Sequence, residues 1–281
     1  MSPDPGAADP PIGSPADANR QLGARDWDAA TYDRVSSPQL SWANEQLARL
    51  QLGGDEIVLD AGCGSGRVTA LLVDMVPEGK VYAVDVAPSM VKHTQEALGD
   101  RVTALCQDLT ELSLPERVDA IFSNATFHWV SDHDRLFASL AGALRPGGQL
   151  VAQCGGHGNI TSFRQISETV AKEPEWAEHF RDWRGPWNYA TAEATRERLR
   201  QAGFVDVETW LEPRPTQVDD PKEFVRTVCL VRHLDHLPPE LHERFVDACL
   251  ERSSQPFTLD YVRLNMTARL GGDARLAGGE R

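Results

Sequence analysis

The chain has 281 residues, of which 41% are hydrophobic and 25% charged, enough to bury a core and too mixed for a low-complexity or collagen-like polymer. Its 28 basic and 42 acidic residues leave a net charge of −14, which sets nucleic acid and anionic membrane aside as default partners. The five cysteines are widely spaced and form no C-x-x-C pair, and neither a signal-peptide pattern nor an apolar run of ~18 residues occurs. A cytoplasmic protein with reduced thiols is expected.

Residues 1–24 are rich in proline and glycine and hold few large apolar side chains, so they are expected to form a disordered tail. Order is expected from near Trp27, with Trp27, Tyr32 and Val35 in a short helical pattern that stops at Ser36-Ser37-Pro38. A second helix is predicted over 39–50. The rhythm then alternates: strands over 57–59, 80–84, 102–106, 118–123 and 149–154, and helices over 67–76, 89–98 and 132–144. Strands and helices in alternation imply right-handed crossovers and a doubly wound α/β sheet covered on both faces.

Residues 25–155 thus read as a ligand-binding core with N-terminal helices. Beyond 155 the pattern becomes irregular, with helices predicted over 160–172, 190–202, 221–233 and 238–251, a strand over 205–211 and an extended segment over 257–270. The segment 156–270 is expected to supply an inserted helical lid and the last strands of the same domain, and 271–281 a frayed tail.

The sharpest motif is Asp60-Ala61-Gly62-Cys63-Gly64-Ser65-Gly66, a strand end running into alternate glycines before a helix. Glycines permit a tight turn and let a ligand lie against backbone at the positive end of the following helix. A dinucleotide site favours G-x-G-x-x-G, whose last glycine falls here on Arg67. Asp60, just before the loop, suits an ammonium group and would repel a pyrophosphate. Asp85 ends the second strand about twenty residues beyond the loop, where a carboxylate can accept both hydroxyls of a ribose. Asp108, after the third strand, could take the exocyclic amine of an adenine or simply cap a turn.

These residues, with Phe122-Ser123-Asn124-Ala125-Thr126-Phe127-His128-Trp129, resemble the class I S-adenosylmethionine-dependent methyltransferases, the nearest subgroup being the carboxyl methyltransferases typified by trans-aconitate methyltransferase. The resemblance covers residues 26–155 and loosens beyond. It implies a Rossmann-like, seven-stranded, mostly parallel sheet whose last strand, within 257–270, runs antiparallel. It also implies S-adenosyl-L-methionine as cofactor, Gly62 and Gly64 against its methionine part, and Asp85 with Val86 at the ribose. By the same resemblance Asp108 and Leu109 stand at the adenine, Asn124 and Ala125 about the methionine amino group, and Trp27 and Tyr32 in a segment folding over the cofactor.

His128 and Trp129 follow strand four, where the sulfonium methyl should face, so His128 and Tyr32 are the candidate catalytic side chains and Trp129 a cofactor neighbour. For a hydroxyl or amine acceptor His128 is the candidate base, with an ordinary pKa near ~6.5. A carboxylate acceptor needs none. The cluster His128, Asp132, His133 and Asp134 admits a metal reading or, as an ordinary alternative, an N-cap before the next helix.

An arginine fork from Arg164, Arg181 or Arg184 could hold an acidic acceptor. Trp183, Trp187 and Tyr189, with Trp176 and Phe180, either close a lid over something apolar or planar or pack the added helices. The expected activity is methylation of a small-molecule acceptor, with carboxyl O-methylation favoured over other O-, N- or C-acceptors, by a monomer or homodimer with no nucleic-acid or membrane partner and no metal. A nicotinamide-dependent oxidoreductase and a non-catalytic cofactor-binding regulator are the rivals.

Overall fold

The computed structural model describes residues 37–272, with side chains from Trp42 onward. The tail over 1–24, the Trp27–Tyr32 segment with Tyr32's catalytic role, and residues 273–281 lie outside the described residues.

After helix α1 (Ser37–Leu47), strands and helices alternate as β1 (Ile57–Ala61), α2 (Arg67–Met75), β2 (Lys80–Asp85), α3 (Pro88–Leu98), β3 (Thr103–Cys106), β4 (Val118–Asn124), α4 (His133–Ala143) and β5 (Leu144–Gly155). Then come α5 (Thr161–Val170), α6 (Ala192–Gln201), β6 (Phe204–Pro213), β7 (Thr216–Gln217), α7 (Pro221–Phe224), α8 (Val231–Leu234), α9 (His242–Glu251), β8 (Thr258–Leu259) and β9 (Val262–Leu270). One seven-stranded sheet has the order β3-β2-β1-β4-β5-β9-β6, and β7 and β8 form a separate two-stranded ribbon. The pairs among β1 to β5 are parallel, whereas β9 runs antiparallel to both neighbours.

The short apolar strand Ile57-Val58-Leu59 lies inside the sheet, between β2 and β4, because it can be buried on both faces, as parallel strands require. Leu59 stands beside Tyr82 on one side and Ile121 on the other, and with Leu136, Phe137 and Leu140 of α4 these residues fill one layer. The alternate residues Val58, Val81, Ala120 and Phe122 pack on Leu47 of α1 and Leu72 of α2 on the opposite face. Each fully buried Leu or Phe contributes about 1.5–3 kcal/mol relative to exposure.

Three expectations are revised. The strand predicted over 149–154 starts at Leu144, which pairs with Val118, and passes through Pro146-Gly147-Gly148 with a register shift before Gln149 meets Ala120. The helix predicted over 221–233 is broken by a wide turn over Val225–Cys229, where the Leu230 amide donates to the Val225 carbonyl five residues back at 2.7 Å. The extended segment 257–270 divides at Asp260, whose carboxylate accepts from the amide and hydroxyl of Ser162, and only the part from Val262 joins the main sheet.

The segments after β5 and after β6 build a third apolar cluster of their own, with Phe163, Val170, Trp176, Phe180, Phe224, Phe245 and Val246 buried together. Trp176 and Phe180 each stand 5.4 Å from Phe245, ring centre to ring centre. This helical layer lies against the carboxyl edge of the sheet through Ile160, Tyr189 and Tyr261, which also line the cavity described below. Among the described residues no helix is long and apolar enough to cross a membrane.

Candidate active site

Open α/β sheets leave a crevice at the carboxyl ends of their strands, where the chain changes direction across the sheet. Here that crevice is a cavity of ≈ 1410 Å³, counted with its open mouth, bounded by the ends of β1, β2 and β4 and by the helical layer.

The glycine loop forms one end. Gly62 and Cys63 both donate to the Val84 carbonyl, at 2.8 and 3.0 Å, which folds the loop over the end of β2. Gly62 has φ +88°, and a Cβ there would stand 2.2 Å from the Thr126 side chain. Gly64 has φ +52°, but a Cβ there would meet nothing within 4 Å, since the residue borders the cavity. The loop thus offers bare backbone to a ligand, at the N-terminus of α2.

Two carboxylates flank that backbone. Asp85 Oδ2 accepts from the Gly64 amide at 3.0 Å and Oδ1 from the Ala87 amide at 2.9 Å, fixing its plane at the loop. Burial raises its pKa, and the backbone amides oppose the rise. Asp60 is 2% exposed and accepts from the Thr69 hydroxyl at 2.7 Å. Burial pushes its pKa up to about 7, the Thr69 hydrogen bond opposes this, and the nearby charge of Asp85 adds to it. A buried carboxyl of this kind gains from a cation beside it.

The opposite wall begins where β4 ends. Asn124 and Ala125 reach the cavity, and Ala125 has φ +58°, a left-handed conformation that side-chain-bearing residues seldom adopt. Its amide donates to the Gln153 carbonyl at 2.7 Å, which holds the turn. Such strain concentrates at functional sites. The turn then places His128 and Trp129 at the cavity. His128 Nδ1 accepts from the Gly155 amide at 3.3 Å, so the neutral ring carries its proton on Nε2. Burial, followed by the charges of Arg263 and His133, holds its pKa well below the ordinary value. His128 is therefore a neutral donor with its Nδ1 lone pair engaged, which argues against the base role expected for it.

The cavity brings together Asp60, Gly62, Gly64, Asp85, Val86, Asn124, Ala125, His128, Trp129, Trp187 and Tyr189. Three expected residues are not among those that line the cavity. Asp108 caps a short turn by accepting from the Thr110 amide at 2.8 Å, Leu109 is buried in the sheet core, and Trp183 packs edge-on to His233 at 4.5 Å inside the helical layer. The capping alternative for Asp132 is what the structure contains, with Oδ1 accepting from the Arg135 amide at 2.9 Å, while His133 Nε2 bonds the Phe127 carbonyl.

The arginines differ as well. Arg164 pairs with Glu168 along its own helix, Arg181 and Arg184 are exposed, and none of the three lines the cavity. Arg263 of β9 and Arg232 of α8 do. Arg263 is 3% exposed, donates from Nε to Gln153 Oε1 at 2.7 Å, and lies 4.8 Å over the Trp42 ring. Its signal in the sequence was weak, because Arg263 is one of four alternating polar residues of its strand, with Asn265, Thr267 and Arg269.

The donor set suits S-adenosylmethionine: bare backbone at Gly64, a buried carboxyl for an ammonium at Asp60, and a fixed carboxylate at Asp85 that could take a diol. When bound, the cofactor supplies a methyl group already activated on a sulfonium.

Sheet order, the antiparallel β9 and this donor set define a class I S-adenosylmethionine-dependent methyltransferase. A family model described as a methyltransferase domain matches residues 58–148. Trans-aconitate 2-methyltransferase of Methylobacterium nodulans is 30% identical over 266 residues, covering 87% of this chain and 98% of that protein; its counterpart in Methylobacterium radiotolerans is 31% identical over 235 residues, covering 79% and 87%. The chain belongs to this family of methyltransferases.

A malonyl-acyl-carrier-protein O-methyltransferase of Anoxybacillus flavithermus is 36% identical over 166 residues, 55% of this chain and 63% of that protein. Among solved structures, the YcgJ protein of Bacillus subtilis superposes with a TM-score of 0.58 at 13% identity, covering 83% of this chain and 99% of that one. Phosphoethanolamine N-methyltransferase 2 of Haemonchus contortus gives 0.57 at 19%, covering 87% and 57%. Both share the fold.

Proposed function

We propose that this enzyme transfers a methyl group from S-adenosylmethionine to a carboxylate oxygen of a small-molecule acid. The observation that carries the reading is the buried guanidinium of Arg263 at the acceptor end of the cavity, in company with a neutral His128 whose one N–H is a donor. Among the described residues the only acidic ones lining the cavity, Asp60 and Asp85, belong to the glycine-loop end. Among the described residues such a site favours an anion and offers no base, which supports a nucleophile that arrives already deprotonated, as a carboxylate does. The chain's work is then to hold the acceptor in line with the methyl group and to exclude water.

In this reading Asp60 receives the methionine ammonium, Asp85 and Val86 the ribose, Gly62 and Gly64 the methionine backbone, and Asn124, Ala125 and Trp129 the region about the sulfonium. The names of the relatives, an aconitate methyltransferase and a malonyl-carrier O-methyltransferase, support a carboxyl acceptor. Transfer of labelled methyl from S-adenosylmethionine into an extract of small acids, followed by mild base, tests it. An ester releases the label as methanol; retention of the label in the product would mean N-, C- or ether methylation and would end the carboxylate reading.

A further inference from the structure

At the acceptor end, four rings form a closed circuit of contacts. His128 stands 5.1 Å from Trp129, Trp129 6.3 Å from Trp187, Trp187 5.6 Å from Tyr189 at an interplanar angle of 10°, and Tyr189 5.8 Å from His128 at 28°. All four line the cavity. Two come from the turn after β4 and two from the segment between α5 and α6, and Asn188 ties the two pieces together. Its amide donates to the His128 carbonyl at 2.9 Å and its side chain to the Ser131 carbonyl at 3.0 Å. The circuit is thus held by the protein rather than assembled by a ligand. The lining on this side also includes the apolar Ile160 and Val228, Cys229, whose thiol burial keeps protonated, and the polar Asn159 and Tyr261.

Among the described residues charge is sparse here. Arg263 is the buried cation, and Arg232 is partly exposed and shares its charge with Asp235 at 3.6 Å. One buried guanidinium matches one carboxylate. Further carboxylates on the same substrate would be desolvated against indole and phenol rings with little cationic compensation. A flat apolar body would instead stack on rings that are already in place.

We propose that the acceptor is a monocarboxylic acid with a planar aromatic or conjugated body, stacked on the His128–Trp129–Trp187–Tyr189 rings with its carboxylate toward Arg263. The proposal rests on the carboxylate reading above and narrows it against polycarboxylates. It places the enzyme downstream of a reaction class that produces free aryl or conjugated acids, and its product is a neutral, more apolar methyl ester.

The test compares cinnamate and 2-naphthoate with octanoate, trans-aconitate and malonate as acceptors for the full-length enzyme, each product checked by methanol release in mild base. The aryl acids should exceed the others in kcat/KM by tenfold or more. Higher turnover of trans-aconitate or malonate overturns the aromatic proposal and leaves carboxyl methylation standing, and equal turnover of octanoate also overturns it. No base-labile product from any acid overturns both readings. In parallel, binding is measured by calorimetry with S-adenosylhomocysteine present, which also reports that each variant is folded. Trp187→Leu should weaken cinnamate tenfold or more and octanoate less than twofold, and Trp187→Phe should restore cinnamate binding. An equal loss for cinnamate and octanoate in Trp187→Leu counts against stacking.

Discussion

Asp60 gives the site a proton inventory. Its folded pKa of about 7 lies above the ordinary carboxylate range, so near pH 6 the native ligand-free protein holds a proton that the unfolded chain has released. That contribution to stability is present at low pH and is lost as pH rises through 7. A bound ammonium reverses the preference by favouring the carboxylate. S-adenosylmethionine affinity is therefore expected to rise between pH 6 and 8 with proton release at the lower pH, read by calorimetry in buffers of different ionisation enthalpy. Asp60→Asn should flatten the profile; an unchanged slope in the variant would place the proton elsewhere. Asp85 acts differently, because two backbone amides already hold its carboxylate. Asp85→Ala is expected to cost the cofactor about 1.5–3 kcal/mol, the range for a hydrogen bond to a charged group. That is roughly a 10- to 150-fold rise in Kd, measured by equilibrium dialysis.

The glycine loop and the turn after β4 act as one element, because Gly62 has no room for a side chain against Thr126. Gly62→Ala combines a left-handed φ with that collision and is expected to cost at least about 1–3 kcal/mol of stability, seen as a lower urea midpoint. Gly64→Ala shares the unfavourable φ but adds its methyl to open cavity. It should weaken cofactor binding more than Gly62→Ala does for the same stability loss, and the reverse ranking would contradict the assignment of Gly64 to the ligand surface. This half of the site was legible in the sequence because each part is local: a strand, an acid at its end, glycines, then a helix. Asp108 was ambiguous for the same reason, since an acid after a strand caps a turn as readily as it meets a ligand; the structure shows the cap, through the 2.8 Å contact with Thr110. In the segment over 176–189, Trp183, Trp187 and Tyr189 all pack on the helical layer, yet only Trp187 and Tyr189 also line the cavity. No periodicity separates them, because the choice is made by His233 of α8 and the following His236 packing against Trp183.

At the scale of the molecule, ligand binding at the junction of sheet and helical layer should stabilise both. At one hundred times Kd, S-adenosylhomocysteine is expected to add about 2.7 kcal/mol. For a domain of this size that corresponds to a rise in Tm of roughly 5–10 °C in differential scanning fluorimetry. The same ligand concentration should add only about 0.3–1.4 kcal/mol to Asp85→Ala, about half the native gain or less. In the acceptor half His128, Trp129, Trp187 and Tyr189 were legible, but Arg263, Arg232 and Val228 were not, because they come from β9, α8 and the wide turn before it, segments that no local pattern links to the turn after β4.

The position of β9 also orders events during synthesis. It lies between β5 and β6, although it is made after both, and its Val262–Leu270 backbone bridges Gln149–Gly155 on one side and Phe204–Pro213 on the other. A nascent chain that ends before residue 262 can wind β1 to β5, but β6 has no partner strand and the edge of β5 stays unpaired, a state prone to association with other chains. The strand that closes this gap carries Arg263. A ribosome-bound chain should therefore gain protease resistance in its β6 region and the ability to retain an acid in the same step, as β9 clears the exit tunnel.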